Sequence, residues 1–535
     1  MKRSVFYKIA VLSVILAGVI YISCKRDLDL TNPSYQTVDS YYQNSDELRA
    51  GTNAIYAMFH SASLVAREWY FVHDLRSDEV ASGGGQLEAA RKQILIGATS
   101  PSNAVMNSVW NGLYGVIHRA NVVIDNGPDV KDDTDLRDRL VAEAKFFRGW
   151  AYFELVSMWG GVPLYTTTVK GSDQFQPRST EDKVYSQIVK DLKDAAGTLP
   201  ASYSDANRGR VTSGAANAML GRVYMQMLDF SNAKTYLQKV IDSNQYDLMN
   251  NYFDNFKQET EFNKESIFEA VFIDKGDDAF DWGYVGDGPN SAQATVRNQE
   301  YNPVAWRNLI PSDKYLNNFE MTATGAAKTD PRMAMSVYKT GDTFNSGKDT
   351  LTAPEQHGNS STINSTPIKT SWRKYMLMYK LSYDQATGIH PGGNNQRIIR
   401  YAEILINMAE CTIETNSSNI SGALGYLNQI RDRVSMPHYP TAQYPAASKA
   451  DVIKIIMHEK MAELGDEEVR NLDIMRWRKE GYYDDFGGDP LGGQGSDPLP
   501  YFQSNRDELL PIPAAEVSNN PELGSGKLDA QNPGY

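Results

Sequence analysis

The sequence predicts a mostly α-helical protein in which tetratricopeptide-like helix pairs form a scaffold, accompanied by a loop-rich irregular region and a few short strands. Three observations lead to this fold class. Apolar residues recur with helical spacing over long stretches of the chain. Signals for strands are few and short. Two segments also follow the spacing of small and large residues that is typical of a tetratricopeptide repeat.

The N-terminus has the layout of a bacterial lipoprotein signal. Three basic residues precede an apolar run at residues 9–22, which is followed by Ser23 and Cys24. A basic region, a short apolar region and a small residue before the cleavage point are the marks of a secretory signal. We predict that residues 1–23 are a signal peptide and that Cys24 is lipidated. A single transmembrane anchor is the alternative, although the run is shorter than the roughly 20 residues that cross a bilayer.

Helical periodicity dominates the remaining chain. Residues 137–159 place apolar side chains on one broad face, and the pattern ends at Gly160 and Gly161 before Pro163. Glycine and proline in these positions are typical of a helix C-terminus. The same reasoning predicts helices at 181–199, 212–241, 397–415, 421–434 and 451–479, and strands at 267–273 and 376–381.

The segment that begins at Thr212 contains a tetratricopeptide-like unit. Leu220, Gly221, Tyr224, Ala233 and Leu237 follow the spacing of that repeat. A second copy of the spacing is formed by Ala423, Leu427 and Ile430. Small residues at such positions allow paired helices to approach closely, so we expect helix pairs along one side of the molecule.

Composition narrows the possible partners and chemistry. The formal net charge of −13 disfavours nucleic-acid binding. With Cys24 assigned to lipidation, Cys411 is the other of the two cysteines and has no partner for a disulfide. It lies within a helical pattern, which favours an inert core thiol over a nucleophile.

No complete catalytic motif is present. His458 and Glu459 begin like a zinc-protease helix, but Ala462 occupies the position of the second histidine. An acidic group at Asp277, Asp278 and Asp281 could bind calcium, although it lacks the alternating spacing of a helix-loop-helix site and is more typical of a solvated loop. We expect no enzyme activity, no cofactor and no metal, while paired carboxylates for glycoside hydrolysis stay open because only geometry selects them.

The ordered motifs of the chain resemble the SusD/RagB family of surface lipoproteins from Bacteroidota-type bacteria. The resemblance runs over nearly the whole length. The motifs that carry it are WNGLY at 110–114, ANVVI at 120–124, EAKFFRG at 143–149, GGVPL at 160–164, DPR at 330–332, RYAEIL at 400–405, IRDR at 430–433, RW at 476–477, LPIP at 510–513 and QNPGY at 531–535. Each motif is weak alone, but the ordered set is specific.

The resemblance implies a fold and a division of the chain. It implies four tetratricopeptide-like helix pairs that support an irregular region with the ligand site. The expected divisions are residues 24–45 as the lipid tether and transporter-facing segment, 46–264 as the N-terminal half, and 265–535 as the C-terminal half with the ligand-binding loops, in one compact body.

The resemblance also implies a function. Family members capture nutrients at the outer membrane and pass them to a TonB-dependent (SusC-like) transporter, over which they act as a lid. We therefore expect a non-enzymatic, lipid-anchored binder of an oligosaccharide or polysaccharide that faces the cell exterior. A surface glycoside hydrolase, a peptide binder and a purely structural helical adaptor are the alternatives. Basic residues directly after Cys24 depart from the family's acidic export signal.

Aromatic residues in loops are the candidates for ligand contact, because a sugar packs its C–H face on a ring while its hydroxyls bond to nearby polar groups. Trp372 is one such candidate. The main predicted cluster lies among asparagines at 290, 298 and 302 and comprises Trp282, Tyr284, Tyr301, Trp306 and Arg307. A second predicted cluster lies next to residues 74–79 and comprises Trp69 and Tyr70.

Other aromatic and charged residues are predicted to be structural. Four tryptophans lie in helical motifs and are assigned to the core: Trp110, Trp150, Trp159 and Trp477. Four charged residues lie in otherwise apolar helical segments, where paired contacts between helices are expected: Arg148, Glu403, Glu459 and Arg476.

Overall fold

Helices provide most of the architecture in a computed structural model that describes residues 41–274, 293–387, 391–483 and 502–535, together with Lys8. The helices of the N-terminal half are α1 (Ser45–Phe59), α2 (Glu68–Leu75), α3 (Ala89–Leu95), α4 (Ala104–Asn126), α5 (Thr134–Trp159), α6 (Glu181–Thr198), α7 (Ser213–Gln226) and α8 (Phe230–Asp242). Those that follow are α9 (Arg297–Tyr301), α10 (Asp313–Asn318), α11 (Arg332–Ser336), α12 (Tyr383–Thr387), α13 (Tyr401–Thr415), α14 (Ile420–Arg433), α15 (Lys449–Leu464), α16 (Arg470–Lys479) and α17 (Ala514–Asn519).

The strands are short and pair two at a time. They are β1 (Val80–Ser82), β2 (Ser266–Ala270), β3 (Leu309–Pro311), β4 (Val337–Lys339), β5 (Thr343–Phe344), β6 (Asp349–Thr350), β7 (Ser361–Ile363), β8 (Thr366–Ile368), β9 (Thr370–Trp372) and β10 (Gln396–Arg400). The antiparallel pairs are β1 with β3, β2 with β10, β4 with β9, β5 with β6, and β7 with β8. The predicted mostly α-helical fold with a few short strands is confirmed.

The long helices pack in chain order and form a layered scaffold. Helix α5 packs between α4 and α6, α7 packs on α6 and α8, and α8 contacts α13, which in turn packs on α14 and α15. In the predicted tetratricopeptide-like unit, a Cβ on Gly221 would lie 2.4 Å from Leu237 of the partner helix. Glycine at this position therefore permits the close approach that the sequence pattern predicts. In the described part of the chain, no helix combines the length and apolarity needed to cross a bilayer.

Ion pairs connect the helices at the charged positions singled out in the sequence. Arg148 of α5 pairs with Asp191 of α6 at 2.7 Å. Arg222 of α7 pairs with Glu403 of α13 at 2.6 Å. Two further pairs of this kind are Arg332 with Glu459 at 2.5 Å and Arg476 with Glu410 at 2.6 Å. All of these side chains are buried, so the predicted role in joining helices is confirmed.

The assignment of core residues also holds. Trp110, Trp150, Trp159 and Trp477 are fully or almost fully buried. Cys411 is a free, buried thiol, and burial raises its pKa far above the usual range. A thiol held in the protonated form is a poor nucleophile, which agrees with the inert role predicted for it.

Residues 212–241 form the helix pair expected of the tetratricopeptide-like unit, and the chain turns at Leu228, whose φ is 58°. Three other segments differ from the predicted elements. The segment at 397–415 begins as strand β10, because its first residues pair with β2. The 451–479 helix is interrupted after α15, where Asp466 and Glu468 have φ values of 66° and 58°. The strand predicted at 376–381 is wrong, because Leu377–Tyr379 forms a 3₁₀ turn.

Candidate ligand-binding surface

Most of the aromatic residues predicted to contact ligand lie in the core. Trp69, Tyr70 and Tyr301 are at most 2% exposed. The Trp69 indole N–H donates to Glu154 at 3.1 Å, and the Tyr301 hydroxyl donates to Asp74 at 2.7 Å. The prediction that these rings bind ligand is wrong for this structure, because their faces are covered by other side chains and their polar atoms are directed into the protein.

The other candidates fall into two groups. Trp372 is fully buried and packs on Tyr315 with ring centroids 4.9 Å apart, so it too is a core residue. Trp282 and Tyr284 lie outside the described residues, as do Asp277, Asp278 and Asp281 of the predicted acidic group and Asn290. Asn298 and Asn302 are buried.

Trp306 is the predicted aromatic residue that reaches the surface in the described structure. It follows α9 and is partly exposed. Its backbone N–H donates to the carbonyl of Gln299 at 3.1 Å, and its carbonyl lies 3.0 Å from Nε2 of His357. The backbone of this residue is therefore held on both sides while part of the indole faces solvent.

Three chain segments meet beside Trp306. Pairing of β1 with β3 brings Gly83 to Asn308, whose carbonyl accepts from the Gly83 N–H at 2.8 Å. The Gly83 carbonyl in turn accepts from the N–H of Asn359, also at 2.8 Å. A Cβ on Gly83 would lie 1.6 Å from the Arg307 carbonyl, and a Cβ on Gly358 would lie 1.9 Å from the Gly83 carbonyl. Only glycine allows the three backbones to approach this closely.

The Arg307 side chain connects the loops beside Trp306 through hydrogen bonds to their carbonyl oxygens. Its guanidinium donates to the carbonyls of His357, Asn359 and Thr370 at 2.6, 3.0 and 2.7 Å, and to the Ser371 hydroxyl at 2.9 Å. The side chain is fully buried, and burial lowers the pKa of Arg307 to about 10. The prediction of direct ligand contact by Arg307 is wrong, because its donors are occupied by the protein. Its role is to position the loop that borders Trp306.

A buried charged group supports the same region from the side of α9. Glu300 accepts from Arg67 at 2.7 Å and also from the side-chain amide of Asn308. Glu68 pairs with Arg91 at 3.0 Å, and burial raises the pKa of Glu68. These contacts connect α2 and α3 to α9, so the platform beneath Trp306 is built from segments that are distant in sequence.

We define the Trp306 surface as Trp306, residues 83–86, residues 357–359 and Lys369. Gly85, Gln86, His357 and Gly358 are exposed, and Asn359 and Lys369 are partly exposed. The surface therefore combines an aromatic face with amide, imidazole and ammonium groups. Such a combination can stack on the C–H face of a sugar ring and hydrogen-bond its hydroxyls.

Sequence reasoning missed most of the polar members of this surface. His357, Asn359 and Lys369 lie more than fifty residues after Trp306 in a tract that carries no periodic pattern. The available signal was local: His357 and Asn359 flank a glycine, and Gly83 begins a run of three glycines. Glycine runs mark turns or close backbone approaches, but they do not indicate which segments meet.

Two open cavities lie elsewhere, against the C-terminal segment. One, of about 760 Å³, is lined by Arg178, Glu181, Leu528 and Gln531, among others. The other, of about 890 Å³, lies between residues 96–98 and 503–506. Apart from Tyr535 at the first, neither of these two has an aromatic lining residue. We place the candidate site at the Trp306 surface because a partly exposed tryptophan lies there beside exposed polar residues. Among the described residues, no group of three or more side chains has the arrangement of a metal site.

Comparison with known proteins identifies relatives for the whole chain. The profile described as the SusD family matches residues 264–535, and the profile described as "Starch-binding associating with outer membrane" matches residues 28–225. SusD-like protein P2 of Formosa agariphila is 26% identical over 544 aligned residues, which cover 99% of each chain.

Solved structures share the fold. A SusD-like protein from Bacteroides fragilis superposes with a TM-score of 0.73 and 22% identity, covering 93% of this chain and 98% of its own. Surface glycan-binding protein A from Bacteroides thetaiotaomicron, solved in complex with laminarihexaose, gives a TM-score of 0.68 and 23% identity, covering 90% and 98% of the two chains. With a profile match to half of its length and agreement in fold, this chain belongs to the SusD family.

Proposed function

We propose that the protein binds an oligosaccharide or polysaccharide at the Trp306 surface without cleaving it. The observation that carries this proposal is a partly exposed indole whose backbone is fixed by Gln299 and His357, next to exposed polar side chains. Two structures with the same fold support it by what they bind, since one is described as a laminarin-binding SusD-like protein and the other was solved with laminarihexaose.

The geometry favours weak binding of an extended ligand. One indole face and a few rim hydrogen bonds bury little apolar area, and association must also offset the lost freedom of both partners. We therefore expect micromolar or weaker affinity for a short oligosaccharide. A polymer gains from repeated contact along its length, because binding of a second unit is effectively intramolecular.

The proposed placement in the cell rests on the N-terminal sequence and on the family. We propose that Cys24 is lipidated, that residues 24–45 lead from the membrane to the folded body, and that the protein serves as a lid on a TonB-dependent transporter that takes up the bound glycan. The profile that matches residues 28–225 supports the membrane assignment, because its description names association with the outer membrane.

A hydrolase would need two carboxyl groups roughly 5–10 Å apart at the ligand. Next to the Trp306 surface, the carboxylate of Glu88 contacts both Arg67 and Arg91 at 3.3 Å. This carboxylate is engaged by two arginines of the fold, and we assign no catalytic role to it.

The test is equilibrium binding of the purified protein to a panel of polysaccharides and peptides, followed by product analysis. We expect saturable binding to at least one glycan, no cleavage products, and a loss of about tenfold or more in Trp306→Ala. Trp306→Phe should retain part of the affinity, because a ring face remains.

The matched control is Tyr236→Ala. Tyr236 stacks on Tyr224 of the helical scaffold with ring centroids 5.6 Å apart, so its removal should leave glycan binding unchanged. Turnover of a glycan would contradict the non-enzymatic assignment. Binding of peptides alone would show that the ligand is a peptide and not a glycan. Glycan binding that is unaffected in Trp306→Ala would show that the glycan binds elsewhere.

A further inference from the structure

Most of the buried cations that the structure describes are paired with carboxylates. Arg400 contacts Glu265, Glu463 and Glu467, each at 2.6 Å. Lys374 is fully buried and pairs with Glu467 at 2.8 Å. Such pairing is the general rule for buried charge, since an unpaired ion in the interior is costly.

Like Arg178 elsewhere in the fold, which bonds to carbonyl and amide oxygens, two cations at the Trp306 surface lack a carboxylate partner. Every hydrogen bond of the Arg307 guanidinium goes to a carbonyl or hydroxyl oxygen. The Lys369 ammonium donates to the carbonyls of Gly358 and Asn359, the latter at 3.3 Å. Among the residues that the structure describes, no carboxylate lies within ion-pair distance of either side chain.

The two cations also share one acceptor and one loop. The carbonyl of Asn359 accepts from Arg307 at 3.0 Å and from Lys369 at 3.3 Å. The Arg307 charge is buried below the loop, whereas Lys369 is partly exposed at its surface. Burial and the positive charge of Arg307 both lower the pKa of Lys369. Two neighbouring cations without a carboxylate partner give this part of the surface a positive potential in a protein whose net charge is −13.

Two acidic side chains border this surface, and both make contacts within the protein. Glu88 contacts Arg67 and Arg91. Glu355, on the tract that leads to His357, accepts from the backbone N–H of Thr352 at 2.6 Å. An ammonium group has three donors, and the two carbonyl contacts of Lys369 leave one for a ligand. The acceptor that this donor and this potential favour is an anion.

We propose that the Trp306 surface binds an anionic oligosaccharide, with a carboxylate or sulfate substituent at Lys369 and a sugar ring on Trp306. This inference rests on the proposed function and narrows its ligand class. A uronate carboxylate and a sulfate ester share the anionic oxygens that an ammonium group recognises, so the experiment separates the two sources.

The experiment measures binding of the full chain to dextran, carboxymethyl-dextran and dextran sulfate, and to laminarin, polygalacturonate and a carrageenan. We expect at least one charged polymer to bind more tightly than its neutral counterpart, with affinity that falls as salt rises. A carboxylate preference would appear with polygalacturonate and carboxymethyl-dextran, and a sulfate preference with carrageenan and dextran sulfate.

Variants connect that preference to Lys369. Lys369→Gln should bind the charged polymer about threefold to fivefold more weakly, the size expected for one exposed charge pair, and should show a shallower salt dependence. Lys369→Arg should restore binding. Lys264→Gln is the matched control, since Lys264 is 43% exposed and pairs with Asp247 away from this surface.

The outcomes separate this inference from the proposed function. Tight binding of a neutral glycan that requires Trp306 but not Lys369 would overturn the anionic ligand and keep glycan binding. Binding of charged polymers that is equal in the protein and in Lys369→Gln would indicate non-specific adsorption and would also overturn it. Glycan binding that is insensitive to Trp306→Ala would overturn the proposed site itself.

Discussion

Two buried arginines, Arg400 in the scaffold and Arg307 below the Trp306 surface, show how differently the two regions handle charge. Arg400 is surrounded by three carboxylates. Arg307 is equally buried but contacts three carbonyls and one hydroxyl. Around Arg400, charge is neutralised within the fold. Around Arg307, the positive charge is held by neutral dipoles alone.

The largest effect should come from removing charge in the scaffold. Arg400→Met leaves Glu265, Glu463 and Glu467 without this cation in a buried site, and we expect a loss of about 3–5 kcal/mol in the free energy of unfolding. Urea denaturation measures it. Lys264→Gln breaks an ion pair whose side chains are 43% and 70% exposed and should cost under about 1 kcal/mol. Equal losses in both variants would contradict the structural role assigned to buried pairing.

A loss of folding stability at low pH is expected from Glu320, a buried carboxylate of the scaffold. Burial acts to raise the pKa of Glu320, but the His458 side chain 3.6 Å away and a hydrogen bond from Arg431 lower it to about 2. The ionised form is thus stabilised in the folded state, so Glu320 stabilises the protein above its unfolded pKa, and the stabilisation is lost as pH falls from about 4.5 towards 2.

Glu320→Gln should therefore cost about 2 kcal/mol at neutral pH, and the difference from the unmodified protein should shrink at acidic pH. Denaturation curves at pH 7 and pH 3 measure this dependence. A loss that is the same at both values would show that shape, and not charge, determines the contribution of Glu320.

The equivalent change at the loop surface should be smaller and local. Arg307→Gln removes the guanidinium that joins His357, Asn359 and Thr370, yet it also removes an unneutralised buried charge. We expect a loss of about 1–3 kcal/mol, below that of Arg400→Met. Hydrogen exchange should become faster at Asn359, whose N–H bonds to Gly83, while exchange in α5 and α7 should stay unchanged. Faster exchange throughout the scaffold would remove the distinction between the two regions.

The smallest stability effect is expected at Trp306 itself. Its side chain is partly exposed, so Trp306→Ala should change the free energy of unfolding by about 1 kcal/mol or less, while glycan binding is lost. Thermal unfolding of this variant next to Arg307→Gln separates a ligand-contacting residue from a positioning residue. A large loss of stability in Trp306→Ala would assign the indole to the core.

The sequence pattern predicted the helical scaffold well, because helices are determined largely by residues close to one another along the chain. Trp150 and Arg148 lie in α5, whose residues 146–156 are all buried, and their position in an apolar helical segment was enough to predict structural roles for both. The same reasoning assigned the core cysteine correctly. It was wrong where pairing with distant chain decides the structure, as in β10, whose partner β2 lies more than 120 residues earlier in the sequence.

The loop surface was predicted poorly for the same reason. Tyr301 and Trp306 appear in one sequence cluster, yet only Trp306 is partly exposed. Tyr301 is buried, and its hydroxyl donates to Asp74, which is 227 residues away in the sequence. Arg307 has the residue type of a ligand contact, but its partners come from other loops. Residue type identified candidates, whereas exposure depended on contacts between distant segments that no local pattern records.

The most direct test of the account is a crystal structure of the protein with an oligosaccharide to which it binds. We predict a sugar ring stacked on Trp306, with its polar groups against residues 357–359 and Lys369. A ligand bound elsewhere, with the Trp306 surface empty at saturating concentration, would contradict the assignment of this surface as the binding site.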